Sequence, residues 1–189
     1  MAFDSVPTAV LLAVLIAAAV TDMRRHRLPN ILTVSAALLG ISLQCWLQGW
    51  SGLLNGLAGF FTGLLLLLPF YAGRWMGAGD VKLMAAVGTF LGWPDILLAV
   101  ALSTGAGSIA AFGLLAARGG LTDYLCRYGL MAKCLLFTGA VAYVPPKTGE
   151  SPTLLFPYAL AIALGTLATL GWVGRLDPFL EILGGFSHA

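Results

Sequence analysis

Charge is what this sequence has least of. Lys, Arg, Asp and Glu make up 10% of its 189 residues, against roughly 25% in a soluble domain. With 59% hydrophobic residues and a mean hydropathy of +0.93, a water-soluble fold of this length could not hide its apolar surface, so the solvent is lipid. The composition predicts an all-α, polytopic membrane helix bundle, a single domain over residues 1–189. Cysteine is also scarce. Cys45, Cys126 and Cys134 are the only three, and their spacing contains no C-x-x-C, which excludes a zinc pattern and a disulfide framework. They are expected to be small, buried apolar fillers. His26 and His188 are the only histidines and lie far apart in polar flanks, so no metal site is expected, and no cofactor. There is no internal repeat and no low-complexity tract. Membrane lipid is an expected partner, nucleic acid is not, and the sequence assigns no oligomeric state.

The start of the chain lacks one further feature. Residues 1–21 have the apolar core of a signal peptide but no basic segment before it, because Asp4 is the sole early charge. The basic cluster Arg24, Arg25, His26, Arg27 follows the apolar run instead. That order predicts a retained span with its N-terminus outside.

Apolar runs of membrane length are present at about 5–22, 30–48, 53–73, 96–117 and 153–173. A shorter run at about 80–93 falls below the ~20 residues of an upright span. It completes a span by tilting or by continuing past Gly92-Trp93-Pro94, which gives about six spans in all. The loops then orient them. Arg24, Arg25, Arg27, Arg74, Lys82, Arg118, Arg127, Lys133 and Lys147 fall in alternate loops, and only Arg175 falls on the other side. By the positive-inside rule the first group is cytoplasmic. Residues 121–137 differ: Leu121, Tyr124, Leu125, Tyr128, Met131 and Leu135 recur at helical spacing, with Asp123 and Arg127 able to pair on the other face. They predict an interfacial helix. A partial insertion by 130–144 is disfavoured, because it would bury Lys133.

Of the eight acidic residues, two adjoin both an apolar span and the inner face. Asp22 closes the first span in TDMRRHRLPN, and Asp80 opens the fourth in GAGDVKL. A carboxylate at the edge of hydrocarbon is costly and either pairs or does chemistry. Two such acids held together can share a proton, one acting as base on a water while the other polarises a carbonyl. That chemistry requires spans one and four to touch. The helix dipole favours the ionised form of Asp80 at a helix start and the neutral form of Asp22 at a helix end. This gives Asp80 the base role, although the arginines beside Asp22 act against it. Gly77 and Gly79 give the backbone freedom to approach a substrate strand, or simply loosen a turn. Lys82 is either a snorkelling residue or a site for an acidic substrate group. Pro29 and Asn30 fit the start of the second helix.

Together these motifs resemble a known family. D-x-x-x-x-x-L-P-N (Asp22, Leu28, Pro29, Asn30) followed by G-x-G-D-x-K-L (Gly77, Gly79, Asp80, Lys82, Leu83) is similar to the type IV prepilin peptidases, membrane aspartic proteases of the GxGD type. MAAVGTFLGW at 84–93 and FPYALAIALG at 156–165 add to the likeness. The resemblance implies that Asp22 and Asp80 are catalytic. It also implies that the partner is a pilin precursor whose basic leader is removed at the cytoplasmic face of the bacterial inner membrane, just before a hydrophobic helix. Gly77 and Gly79 would present a backbone edge to the unwound strand, and Lys82 would meet an acid near the mature pilin N-terminus. The longer family members carry a C-x-x-C insert and methylate the new N-terminus. Here the first inner loop is about seven residues, so peptidase activity without N-methylation is expected, as in the short form that serves tight-adherence (Flp-type) pili.

Other readings keep part of this pattern. A preflagellin peptidase or a presenilin-like intramembrane protease would share the dyad, but the latter usually has its first aspartate inside a span after a tyrosine. A proton-coupled transporter would use acids as relays, commonly at the midplane of duplicated halves. A non-enzymatic membrane subunit would pair its acids with Arg24 or Lys82.

Overall fold

The computed structural model describes residues 2–25, 28–73, 76–117, 129, 133 and 158–177. Among them every regular element is a helix: α1 (Ala2–Arg25), α2 (Asn30–Ala72), α3 (Ala78–Leu91), α4 (Asp95–Ala117) and α5 (Tyr158–Trp172). The chain divides into two compact units, Met1–Gly107 with Pro157–Ala189, and Ser108–Phe156. In the second unit the described residues are the end of α4 and two helical positions, 129 and 133. The expected interfacial helix at 121–137 and the insertion at 130–144 otherwise lie outside the described residues. The first unit holds both sequence motifs.

Among the described residues, three helices are long and apolar enough to cross a membrane: Ser5–Arg24, Asn30–Ala72 and Asp95–Leu114. By length and composition alone this is fewer than the expected six. The difference comes from one long helix and two short ones. Gly49 breaks α2 with φ 61 and ψ −138, a left-handed conformation that favours glycine. Beyond it the chain folds back. A Cβ on Gly52 would collide with the Gln44 carbonyl, and one on Gly56 would touch the Gln44 side chain. Those residues would be about 12–18 Å apart along a straight helix. The two arms, corresponding to the expected runs 30–48 and 53–73, therefore form a hairpin. By contrast, α3 has 14 residues, short of the ~20 that crossing takes, and α5 covers 15 described residues of the expected run 153–173, whose residues 153–157 lie outside the described ones.

α3 is the hub of the unit. Val81 and every residue from Leu83 to Leu91 are buried, as expected for a helix that is apolar on all sides. The first arm of α2 runs parallel to it: Asn30 meets Lys82 at the start and Gln44 meets Phe90 at the end. The second arm runs antiparallel, and here glycines bring the backbones together. A Cβ on Gly59 would collide with the Gly88 carbonyl, one on Gly88 with the Gly59 carbonyl, and one on Gly63 would stand 2.8 Å from the Met84 oxygen. Such close approach is a common way to join helices in lipid, where no hydrophobic force drives them together.

The C-terminal end of α3 leaves carbonyls that lipid cannot satisfy. Gln44 Nε2 donates to Phe90 O at 3.1 Å. Arg175 donates to Phe90 O and Leu91 O at 3.5 and 3.4 Å, and pairs with Asp95 at 2.8 Å. The Trp93 amide donates to Asn55 Oδ1 at 2.9 Å. The exposed Trp46, Trp50, Trp93 and Trp172 all lie at this end, in the manner of an interfacial aromatic belt. Cys45, expected to be buried, is exposed on the same hairpin. Cys126 and Cys134 lie outside the described residues.

Candidate active site

α1 places Asp22 by periodicity. Thr8, Leu11, Leu15, Ala18 and Asp22 are all buried, at steps of 3, 4, 3 and 4 residues that trace one helix face. Asp22 thus continues the core stripe of α1, and its residue is only 7% exposed. α3 places Asp80 in its first turn, where the Asp80 and Val81 amides donate to Gly77 O at 3.2 and 3.4 Å. α1 and α3 are in contact. Their two carboxylates line one open cavity of about 330 Å³, walled also by Leu28 and Asn30 from the α1–α2 turn and by Gly77, Ala78, Gly79 and Lys82.

The remaining groups fix the two acids and the cavity wall. Asp22 Oδ2 accepts the Ala159 amide at 3.2 Å, from the first turn of α5. Lys82 Nζ donates to Asn30 Oδ1 at 2.9 Å, so the two sequence motifs are joined by a direct hydrogen bond. Pro29 O opens α2 by accepting the Leu32 amide at 3.1 Å. The glycines act by their size. Gly77 has φ −73 and ψ 148, and neither it nor Gly79 has a positive φ. A Cβ on Gly77 would stand 3.0 Å from Asp80 Oδ2, and one on Gly79 3.0 Å from Leu28 Cβ. The first leaves room for the carboxyl, and the second lets Leu28 close the wall.

Asp80 begins α3, outside the three long spans. Burial, and then the charge of Asp22, push its pKa up from 3.8 to about 6, while a hydrogen bond from the Gly77 backbone draws it back. This opposes the helix-dipole argument that assigned the charge to Asp80. Removing a carboxylate from water costs more than the first-turn dipole returns. No group of three or more His, Cys, Asp or Glu suited to a metal ion is present among the described residues.

A profile of the type IV leader peptidase family matches residues 9–114, more than half of the chain. The chain belongs to the type IV leader peptidase family. A prepilin leader peptidase/N-methyltransferase of Aeromonas salmonicida (strain A449) is 33% identical over 112 residues, covering 56% of this chain and 38% of the relative. One from Aeromonas hydrophila is 32% identical over 112 residues, with the same coverage of each chain. The chain thus spans less than half the length of the curated relatives it matches. No solved structure matches it. Membership in a leader peptidase family, together with the long apolar helices, makes this a membrane protein.

The segment matched by the leader peptidase family holds Asp22, Asn30, Gly77, Gly79, Asp80 and Lys82, and it ends before α5. The structure therefore adds contacts from α5 that the two aspartate motifs omit. Ala159 holds Asp22, and the Tyr158 phenol lies within reach of the Asp80 charge. The signal in the sequence was the Pro157-Tyr158 pair opening an apolar run. A backbone N–H donor, however, leaves no mark on residue type.

Proposed function

We propose that the protein is an aspartic endopeptidase that removes the leader of type IV, Flp-like prepilins at the cytoplasmic face of the bacterial inner membrane. One observation carries this reading: carboxylates from two separate helices share one cavity, and the charge of one lifts the pKa of the other. Below a pH of about 6 the proton of the pair rests on Asp80. Asp22, held by the Ala159 amide, acts as the carboxylate. Asp22 takes a proton from water as the water oxygen attacks the scissile carbonyl carbon. Asp80 gives its proton to the carbonyl oxygen, producing a gem-diol. As the C–N bond breaks, Asp22 passes its proton to the departing nitrogen and Asp80 recovers one from the diol. The dyad thus returns to its starting state without a metal.

The cavity suits an extended peptide. Gly77 is itself extended and carries no side chain, so a substrate strand can come close beside it. The Lys82 ammonium has three N–H groups, one of which is used on Asn30. The others are available to an acidic side chain beyond the cut. Two features support the topology. Arg24 and Lys82 belong to the end of the unit that holds the dyad, whereas at the opposite end Arg175 is neutralised by Asp95. The four exposed tryptophans mark that opposite end as the other interface. This is the arrangement of an N-terminus outside and a site on the cytoplasmic side. The large exposed apolar side chains, such as Ile31, Leu38 and Ile109, suit lipid as the surrounding partner. Incubating the detergent-solubilised protein with an Flp-type prepilin tests the proposal. Leader release by the wild type, lost in Asp22→Ala and in Asp80→Ala, is the expected result. Undiminished cleavage by either variant overturns it.

A further inference from the structure

We infer that Gly107 and Tyr158 form a lock that holds the first turn of α5 against Asp22, making both positioning residues for the dyad. The inference rests on the peptidase reading and extends it to α4 and α5. Gly107 lies on the buried stripe of α4 with Ile96, Ala99, Val100 and Ser103. A Cβ there would stand 2.6 Å from Tyr158 Cζ and 2.7 Å from its hydroxyl oxygen. The tip of the phenol therefore occupies the volume that a side chain on α4 would take. Gly107 has no positive φ, so close approach explains the glycine.

The next residue after Tyr158 carries the amide that meets Asp22. Ala159 lies in the first described turn of α5, and its N–H is directed at Asp22. Asp22, almost fully covered, accepts it at 3.2 Å. The two ends complete each other, and the bond weakens steeply if the turn shifts. A second contact fixes α5 farther along: a Cβ on Gly165 would collide with Ser103, whose hydroxyl donates to Ile162 O at 3.4 Å. With α4 and α5 held there, pressure on the Tyr158 ring cannot be relieved by sliding the whole helix. It moves the first turn instead.

Four variants test the lock: Gly107→Ala, Tyr158→Ala, Tyr158→Phe and, as a control on the same helix, Gly105→Ala, whose Cβ would meet nothing within 4 Å. The first readout needs no substrate. It is the infrared carboxylate stretch of Asp22, assigned by subtracting the spectrum of Asp22→Asn. This band is expected to move in Gly107→Ala and Tyr158→Ala, and to stay in place in Tyr158→Phe and Gly105→Ala. The second is prepilin cleavage. In the two disruptive variants kcat should fall roughly 10–100-fold while KM stays within about twofold, because an interaction made in the transition state is lost. The double variant Gly107→Ala/Tyr158→Ala should be no slower than Tyr158→Ala, since without the ring nothing obstructs the added methyl. An unmoved Asp22 band in Tyr158→Ala overturns the inference. So does a Tyr158→Phe enzyme as slow as Tyr158→Ala, which would assign the effect to the hydroxyl. If Gly107→Ala fails to fold, Tyr158→Ala, which only removes atoms, decides alone. If the wild type cleaves no prepilin, the peptidase reading fails, and the infrared comparison still decides the lock.

Discussion

Replacing Asp80 with Asn separates what this residue does in catalysis from what it does to the fold. Burial and the charge of Asp22 raise the Asp80 pKa from 3.8 to about 6. At 1.36 kcal/mol per pKa unit, that is roughly 3 kcal/mol in favour of the protonated form in the folded protein. In the unfolded chain the carboxyl returns to its ordinary value. A group raised on folding contributes stability that is fully present below about 3.8 and is lost as pH rises through about 6. At neutral pH the fold therefore carries an ionised group that it disfavours. The cavity is open to solvent, which screens the effect and leaves about 1–3 kcal/mol. Asparagine keeps an acceptor oxygen for the Gly77 backbone and has no charge to lose. Asp80→Asn should thus be more stable than the wild type at pH 7.5 by about 1–3 kcal/mol, roughly 2–10 °C in unfolding midpoint for a chain of this size. The gap should close near pH 4, and prepilin cleavage should be absent throughout. Tryptophan fluorescence melts in detergent at pH 4, 5, 6 and 7.5, at one scan rate, provide the measurement. An Asn variant less stable at pH 7.5 refutes the reasoning. An equal gain at pH 4 also refutes it, because packing rather than ionisation would then be responsible.

Two further outcomes follow from the same geometry. If Asp80 must hold the proton, initial rates of leader release should show an alkaline limb set by Asp80, with kcat/KM falling as pH rises through about 6; a rate that stays flat to pH 8.5 counts against that role. In the glycine seam between α2 and α3, Gly59→Ala and Gly88→Ala each press a methyl into a backbone carbonyl and should cost about 1–3 kcal/mol by thermal unfolding. Gly105→Ala should be neutral, so equal loss in all three would discount the seam.

Much of the fold is written in periodicity, and periodicity reaches only as far as one helix. The apolar run at 5–22 is legible in the residues alone, but it is apolar on every side, and only burial shows that Asp22 continues the 8-11-15-18 stripe. The largely apolar run 83–91 marks α3 as enclosed. What a single helix cannot encode is its neighbour. Gly59 and Gly88 lie 29 positions apart in the sequence, and their shared reason, two backbones in contact, exists only once α2 has folded back at Gly49. Likewise, Gly77 and Gly79 invite an argument from flexibility because glycine permits it. The structure adds that a Cβ at either would crowd Asp80 or Leu28, a contact that the residue type alone does not reveal.

The dyad illustrates the same limit in electrostatics. From sequence, the local fields are the helix ends, and they assign the charge to Asp80. The structure adds two terms with no sequence signature: burial of Asp80 beside Asp22, and an amide from α5 directed at Asp22. Burial and a like charge together outweigh a first-turn dipole, which is worth at most about 1–2 kcal/mol. The two acids also have different donors, the Ala159 amide on Asp22 and the Gly77 backbone on Asp80. Two aspartates alone would leave the proton undecided. The start of α5, outside the two aspartate motifs, thus adds a backbone donor at Asp22 that neither motif encodes.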